Sequence, residues 1–450
     1  MAILKNMKDR VDQKVRLSVF NHSNTTKNPG WVRLFNTRRR SSAQLELAIF
    51  RDLQTGASTS YTLEGRLGMK QVDSLLSDGI LVDIERDEID EIRTEYLSHR
   101  AAEDTTLIIV PTLDCNMNCS YCFVHRRAVR MQPEGADALV RFVQSCAQVS
   151  PSLNIEWFGG EPLLSHRLVT ETQMRISRIV ADHGLTCRAA VSTNGFLLNK
   201  RRIRGLVAAG IGRFNITIDG PQRIHDFRRF TKNGAPTFNI ILKNFLTAVQ
   251  HATVRLTIMV DKTNVMHMDE IVHYLAELRF GNRLSVKFKA VTDPPNEQSF
   301  DTPSHFEYAR TAALQELARR VGLRVQSTFK IRGLCVKNRI NTFTIGPDLT
   351  LFRCTDSFDK KEGIGFVRND GELELRETAL RWPADEPFSR PDCKKCVLLP
   401  LCFGGCPLRR YHYQSNWCPA ETRDVGDLLE EVLPVLGPST SAFPEPLRNP

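Results

Sequence analysis

Between Thr105 and about Ala290 the chain alternates short apolar runs with longer stretches whose apolar residues recur three and four apart. The runs Leu107–Pro111, Leu153–Trp157, Arg188–Ser192, Phe214–Ile218, Val254–Val260 and Leu284–Phe288 read as strands, and Phe238, Ile241, Leu242, Phe245 and Val249 mark one face of a helix between two of them. Alternating β and α segments imply parallel strands joined by right-handed crossovers. Six such units make an α/β fold of partial (β/α)6, TIM-like type. Ahead of them, Val15–Phe20 and Gln44–Phe50 alternate as antiparallel strands do, separated by polar loops at Asn24–Gly30 and Gln54–Gly56. A helix near Met69–Leu76, a strand at Ile80–Val82 and an acidic helix through Tyr96 complete a small N-terminal α+β module. After a Pro-rich linker at Asp293-Pro294-Pro295 comes one helix through about Val321, and then a cysteine-rich segment. The domain boundaries expected from this pattern are 1–100, 104–325 and 326–435, with a disordered Pro- and Ser-bearing tail over 436–450.

Composition narrows the class. With 41% hydrophobic and 25% charged residues the 450-residue chain suits a soluble globular protein of two or three domains. No apolar run approaches the ~18 residues a membrane helix needs, and the first residues lack the apolar core of a secretory signal. A cytoplasmic location without membrane contact is expected. In that setting twelve cysteines point to metal rather than to disulfides. Ten of them fall into two groups, leaving Cys146 and Cys187 as ordinary buried thiols. The net charge of +10 favours an anionic partner. Basic runs such as Arg38-Arg39-Arg40, Lys200-Arg201-Arg202 and Arg228-Arg229 are not interleaved with aromatics, and no RNA-binding pattern is present, so nucleic acid is not expected.

The first cysteine group, Cys115-Asn116-Met117-Asn118-Cys119-Ser120-Tyr121-Cys122, follows the first predicted barrel strand. Three thiolates so close together can bind three irons of a cubane cluster and leave the fourth iron open to a substrate or cofactor. Zinc fits this spacing poorly, because its sites favour two-residue spacing in both of two separated pairs. The loops after the next strands carry Gly159-Gly160-Glu161-Pro162, Thr193-Asn194-Gly195 and Asp219-Gly220-Pro221. Ligands of β/α barrels gather at that mouth; glycines there allow positive φ and close backbone approach, and Glu161 can receive a cationic amino group. The second group comprises Cys335, Cys354, Cys393, Cys396, Cys402, Cys406 and Cys418. Its thiolates suit one closed four-cysteine site plus a three-cysteine site, of iron–sulfur or zinc.

The CxxxCxxC loop, with Tyr121 before its last cysteine, resembles the signature of radical S-adenosylmethionine (SAM) enzymes, whose partial barrel also matches the expected fold. In that family the free iron is chelated by SAM, which is split to methionine and a 5′-deoxyadenosyl radical. The resemblance implies that Gly159, Gly160 and Glu161 contact the methionine amino group, with Asn194 in the matching TNG turn. The run Thr217 to Asp219-Gly220-Pro221, with His225, Asp226, Arg229, Gly234 and Thr237-Phe238, is similar to that of radical SAM peptide maturases and anaerobic sulfatase-maturating enzymes. It implies Thr217 and Arg229 at the SAM carboxylate and Tyr121 near the adenine, with His225 orienting the turn rather than acting as a base. Pro236 departs from the glycine common in relatives.

The CxxCx5CxxxC block with its flanking cysteines resembles the SPASM domain, which carries two auxiliary 4Fe–4S clusters. The resemblance implies an outer cluster on Cys393, Cys396, Cys402 and Cys418 and an inner one on Cys335, Cys354 and Cys406. The inner cluster then lacks the further cysteine that fuller relatives have, and Leu349 stands where relatives commonly have glycine. The function expected is maturation of a ribosomally made peptide by a side-chain crosslink, with a precursor peptide as substrate and flavodoxin or ferredoxin as electron donor. Some relatives carry an N-terminal module that grips a leader peptide. An alternative is oxidation of Cys or Ser to formylglycine, as in sulfatase maturation. Relatives of that kind carry an Asp directly after an inner-cluster cysteine; here Thr355 intervenes, leaving Asp356 as the candidate base. An alternative of another class is a structural-zinc protein without catalysis.

Overall fold

Strand β7 (Thr105–Ile109) opens a parallel run continued by β8 (Ser152–Trp157), β9 (Thr186–Thr193), β10 (Ile211–Thr217), β11 (Thr253–Val260) and β12 (Leu284–Ala290). They pair in chain order, with Ile155 opposite both Leu107 and Ala189, and Leu256 opposite both Ile216 and Val286. The six expected strands are therefore present, each within a few residues of its predicted bounds, and β12 does not close onto β7. The computed structural model describes residues 13–26, 28–291, 305–326, 335–355, 358, 360–379 and 386–407.

Alternate residues of these strands are buried beneath helices. Leu153, Ile155 and Trp157 share one core with Leu139, Phe142 and Val143 of the helix Pro133–Val149 and with Val169 and Ile176 of the helix His166–Asp182. Trp157 Nε1 donates to Gln173 Oε1 at 2.8 Å, so even the polar edge of this large ring is satisfied. Fully burying each such side chain stabilises the fold by roughly 1.5–3 kcal/mol.

The four strands on the other side of β7 were not foreseen. β13 (Thr342–Ile345) adds in parallel to the other flank of β7, with Phe343 opposite Leu107, and leads into an antiparallel extension of β14 (Thr350–Phe352), β15 (Gly365–Val367) and β16 (Leu373–Leu375). All four of its residues are buried, so it carries no alternation for a period-two reading to detect. Thus β7 is an interior strand.

The chain divides into two compact units: Arg100–Thr328 with Cys335–Ala384, and Met1–His99 with Phe329–Leu334 and Asp385–Pro450. The segment expected as one domain over 326–435 is accordingly shared between them. In the described part of the second unit, β1 (Lys14–Leu17) lies between β5 (Ser58–Thr59) and β6 (Leu81–Asp83), while β2 (Asn21–Thr25), β3 (Trp31–Asn36) and β4 (Ser41–Glu46) form a separate antiparallel sheet. The expected strand over Gln44–Phe50 ends at Glu46. Leu47–Thr55 is helical, because burial of Ile49, Phe50 and Leu53 on one face outweighs the local alternation. Phe20, Ile92 and Tyr96 pack with Phe388, Leu399 and Phe403, joining the N-terminal module to the segment that bears Cys393. No helix among the described residues is long and apolar enough to cross a membrane.

Candidate active site

The Cys115–Cys122 loop leaves β7 and is held on two sides by backbone. On one side, Gly160 N–H donates to Thr112 O at 3.1 Å and Glu161 N–H to Asp114 O at 2.8 Å. A Cβ on Gly159 would stand 2.4 Å from Thr112 O, and one on Gly160 would stand 2.2 Å from Asp114 O. The close approach these glycines permit is therefore to the cysteine loop itself, which the motif alone did not reveal. On the other side the loop runs antiparallel to residues 228–232: Ser120 N–H donates to Arg228 O (3.1 Å), Asn118 N–H to Phe230 O (2.8 Å) and Lys232 N–H to Asn116 O (3.2 Å), with Met117 opposite Thr231. Asp114 caps the arrangement, accepting from Cys115 N–H at 2.8 Å and Lys232 Nζ at 2.7 Å. The Lys232 hydrogen bond leads the contacts that depress its carboxyl pKa.

Cys115 is buried, Cys119 half-buried and Cys122 exposed. Burial pushes the Cys115 thiol up to about 11, and the charges of Glu161, Cys119 and Cys122 push it the same way. Cys119 is also raised, by burial first, against the pull of Arg229. A cationic iron–sulfur core would offset both the burial and the crowding that oppose deprotonation of Cys115 and Cys119. Among the described residues no three or more His, Cys, Asp or Glu side chains converge as ligands of a single metal ion.

Glu161, wholly buried, joins this loop to the ends of β8 and β9. Its Oε1 accepts from Leu163 N–H (3.0 Å) and Thr193 Oγ1 (2.8 Å), and its Oε2 from Asn194 N–H (2.7 Å). Burial raises its pKa while these donors oppose the shift. A carboxylate has about four acceptor positions, so one on Oε2 can take an ammonium N–H. Asn194 Nδ2 reaches Asn116 Oδ1 at 2.8 Å and lies 3.7 Å from Cys115 Sγ, while Asn116 Nδ2 is buried without a partner. Gly195, at φ +83°, lets the turn fold over Ile216 and Ile241.

The third contributor is a pair of buried arginines. Arg229 Nη1 donates to Tyr121 Oη at 2.6 Å, and its Nε is buried without a partner. Burial disfavours its charge, but Cys119, Tyr121 and Asp219 outweigh that and raise its pKa. Arg228 lies over the Tyr121 ring, 4.8 Å from its centroid, and donates to Asp261 Oδ2 (2.5 Å), Thr263 Oγ1 (2.7 Å) and Asp219 Oδ2 (3.4 Å). Tyr121 is thereby engaged by both arginines. In the sequence Arg228 stands in a basic run, Asp219 in the Asp219-Gly220-Pro221 turn, and Asp261 in no motif, yet each Asp stands just beyond a parallel strand's C-terminal end, which is a usable signal. Behind them His225 is buried, accepting from Asp219 N–H at its Nδ1 (3.3 Å) and donating from Nε2 to Thr237 Oγ1 (3.1 Å), which donates to Arg229 O (2.6 Å). Burial, then the charges of Arg229 and Arg228, lower its pKa to about 2. A neutral histidine spanning Asp219 and Thr237 orients the turn. Pro236 forms a bridge with Phe230 and leaves the turn intact.

Thr217 ends β10, half-buried beside Thr257. Cys335 precedes the 3-10 turn Val336–Asn338 and Cys354 follows β14, both in the barrel-bearing unit. Cys393, Cys396, Cys402 and Cys406 belong to the other unit, on short helices and turns. Cys418 and Asp356 lie outside the described residues.

Residues 109–275 match the sequence profile of the Radical SAM superfamily. A serine-type anaerobic sulfatase-maturating enzyme of Klebsiella aerogenes is 22% identical over 343 residues, covering 71% of this chain and 84% of that protein. Among solved structures, native anSMEcpe with bound AdoMet and Cp18Cys peptide superposes with a TM-score of 0.61 at 19% identity, over 74% of this chain and 98% of that one. Streptococcus suis SuiB bound to precursor peptide SuiA gives a TM-score of 0.50 at 13% identity, over 87% and 95% of the two chains.

Proposed function

We propose that this radical SAM enzyme matures a ribosomally made peptide by installing a side-chain crosslink. Support comes from one convergence: the Cys115–Cys122 loop, the Glu161–Asn194 turn and the Arg228–Arg229 pair meet at the strands' C-terminal ends. The superfamily uses SAM and a 4Fe–4S cluster, and the residues here fit both. Cys115, Cys119 and Cys122 would hold the cluster. Glu161 would accept from the amino group of SAM, Thr217 and Arg229 would meet its carboxylate, and Tyr121, fixed by the two arginines, would lie near the adenine. When bound, the cluster would supply the electron for reductive cleavage of SAM, the chemistry that makes hydrogen abstraction from the substrate available. The chain's own part is to fix these groups in place and to exclude water from them. Burial of Glu161, His225 and Arg228 serves that end.

The seven cysteines from Cys335 to Cys418 would hold two auxiliary clusters that accept the substrate's remaining electron, with flavodoxin or ferredoxin as external donor and Asp356 as a candidate base. Residues 1–100 would grip the leader of the precursor. The reading of the substrate as a peptide rests on neighbours solved with peptides, the Cp18Cys peptide and SuiA. Sulfatase-type formylglycine formation is the second reading, supported by the Klebsiella relative.

The test is anaerobic reconstitution with SAM, a reductant and the candidate peptide. A crosslink removes two hydrogens and yields no aldehyde. Formylglycine from Cys exchanges sulfur for oxygen and also loses two hydrogens, while from Ser it loses two hydrogens alone; both leave an aldehyde that a hydrazide traps. If Cys119→Ala still released deoxyadenosine, the whole reading would fall.

A further inference from the structure

The strands carry a second polar surface beneath the residues just described. Side chains alternate along a strand, so positions not packed under helices share the opposite face: Glu156 on β8, Ser192 on β9, Arg213, Asn215 and Thr217 on β10, and Arg255 on β11. The register sets Asn215 beside Ser192 on one flank and Arg255 on the other. Ser192 Oγ donates to Glu156 Oε1 at 2.6 Å, and Asn215 Nδ2 lies 3.2 Å from the same oxygen and 3.0 Å from Ser192 Oγ. That accounts for the glutamate but not for its neighbours. Arg213 Nε, Arg255 Nε and Asn215 Oδ1 are shielded from solvent and have no hydrogen-bond partner.

Two guanidinium groups facing one carboxylate leave a positive excess, and shielded donors without acceptors are costly to maintain unless a ligand uses them. Burial and the Arg213 charge both lower the proton affinity of Arg255, with Glu156 the opposing neighbour. A second anion on this face would relieve both groups. Ser192 and Asn215 each lie two residues below Asn194 and Thr217, which is about 7 Å at the usual strand rise of ~3.3 Å.

We propose that this face is a substrate subsite for a carboxylate, to which Arg213 and Arg255 donate while Asn215 Oδ1 accepts an N–H of the same residue. The carboxylate is either an acidic side chain of the peptide or its C-terminus. Held there, it places the carbons next to it within reach of the cofactor end of the barrel. The proposal rests on the SAM-dependent reading above, and deoxyadenosine release by the wild-type protein without any substrate tests that reading separately.

The subsite itself is tested by calorimetric titration of the anaerobically reconstituted, SAM-loaded full chain. The probes are N-acetyl-glutamate N-methylamide, its glutamine counterpart, and N-acetyl-alanine with a free carboxylate. The glutamate probe or the free-carboxylate probe, whichever source is correct, is expected to bind at least about tenfold tighter than the glutamine probe. Arg255→Gln and Arg213→Gln are expected to weaken that binding by about 10- to 100-fold, while Arg255→Lys, which keeps the charge, retains part of it and reports on folding. Equal affinity for all three probes, binding of none at millimolar concentration, or unchanged affinity in both glutamine variants overturns the proposal.

Discussion

The two cysteine-bearing segments are built on opposite plans. Cys115–Cys122 is clamped by backbone bonds to residues 228–232, which follow three further strands, and by the Gly159-Gly160 seam. Cys393–Cys406 is instead a string of one-turn helices whose bonds span three or four residues: Cys396 N–H to Cys393 O at 3.1 Å, Cys402 N–H to Leu398 O at 3.0 Å, and Gly405 N–H to Cys402 O at 2.9 Å. The first is shaped by the fold before any metal arrives. The second rests, in its described part, chiefly on local turns, with a small apolar cluster and the Thr37 Oγ1 hydrogen bond to Val397 O behind them, and short helices are marginal by themselves.

The largest expected contrast is in amide exchange of metal-stripped protein. The Asn118 and Ser120 amides should stay protected by ~100-fold or more relative to those of Cys396 and Cys402; equal exchange in the two segments would break the comparison. Next is Gly160→Ala, whose methyl must displace the Asp114 carbonyl. It should cost about 3 kcal/mol in a denaturant titration and lower the iron content, whereas Gly212→Ala, with open space around it, should do neither.

His225 gives the third. Its folded pKa of about 2 lies below the unfolded value of 6.5. Between these limits the unfolded chain binds the extra proton, so the stability it contributes is complete above pH 6.5 and is lost as pH falls toward 2. His225→Asn should therefore flatten the acid limb of cluster-free protein, by up to ~1.4 kcal/mol per pH unit, in urea midpoints at pH 5 and pH 7. The smallest effect belongs to Lys232→Ala. The ammonium is half exposed, so the same titration should show ~0.5 kcal/mol or less, because backbone rather than charge holds the loop.

Much of the barrel was legible because its periodicity is local. β8, β10 and β11 alternate buried and half-buried residues along their lengths, and the loops beyond them carry motifs of fixed spacing. What escaped the reading is tertiary. Nothing local says that residues 228–232 pair with the cysteine loop, so Arg228 looked like half of a basic run. The four-residue β13 has no period, and the helix at Leu47 continues a strand-like alternation. Leu349 is the converse case. The sequence marked it as standing in a glycine's place, and the structure holds it at φ +63° yet buried in the core. Backbone strain of roughly 1–2 kcal/mol is there offset by apolar burial.

The clamp on the first loop also has a bearing on how the protein is made. At translation rates of about 5–20 residues per second, Cys122 leaves the ribosome roughly 5–20 s before Phe230 does, and β13 follows later still. During that interval the nascent thiols have no far wall to shelter them from oxidants. Iron–sulfur insertion at the proposed site would therefore be an event for the finished polypeptide, and oxygen exposure during synthesis should harm the yield more than the same exposure after release.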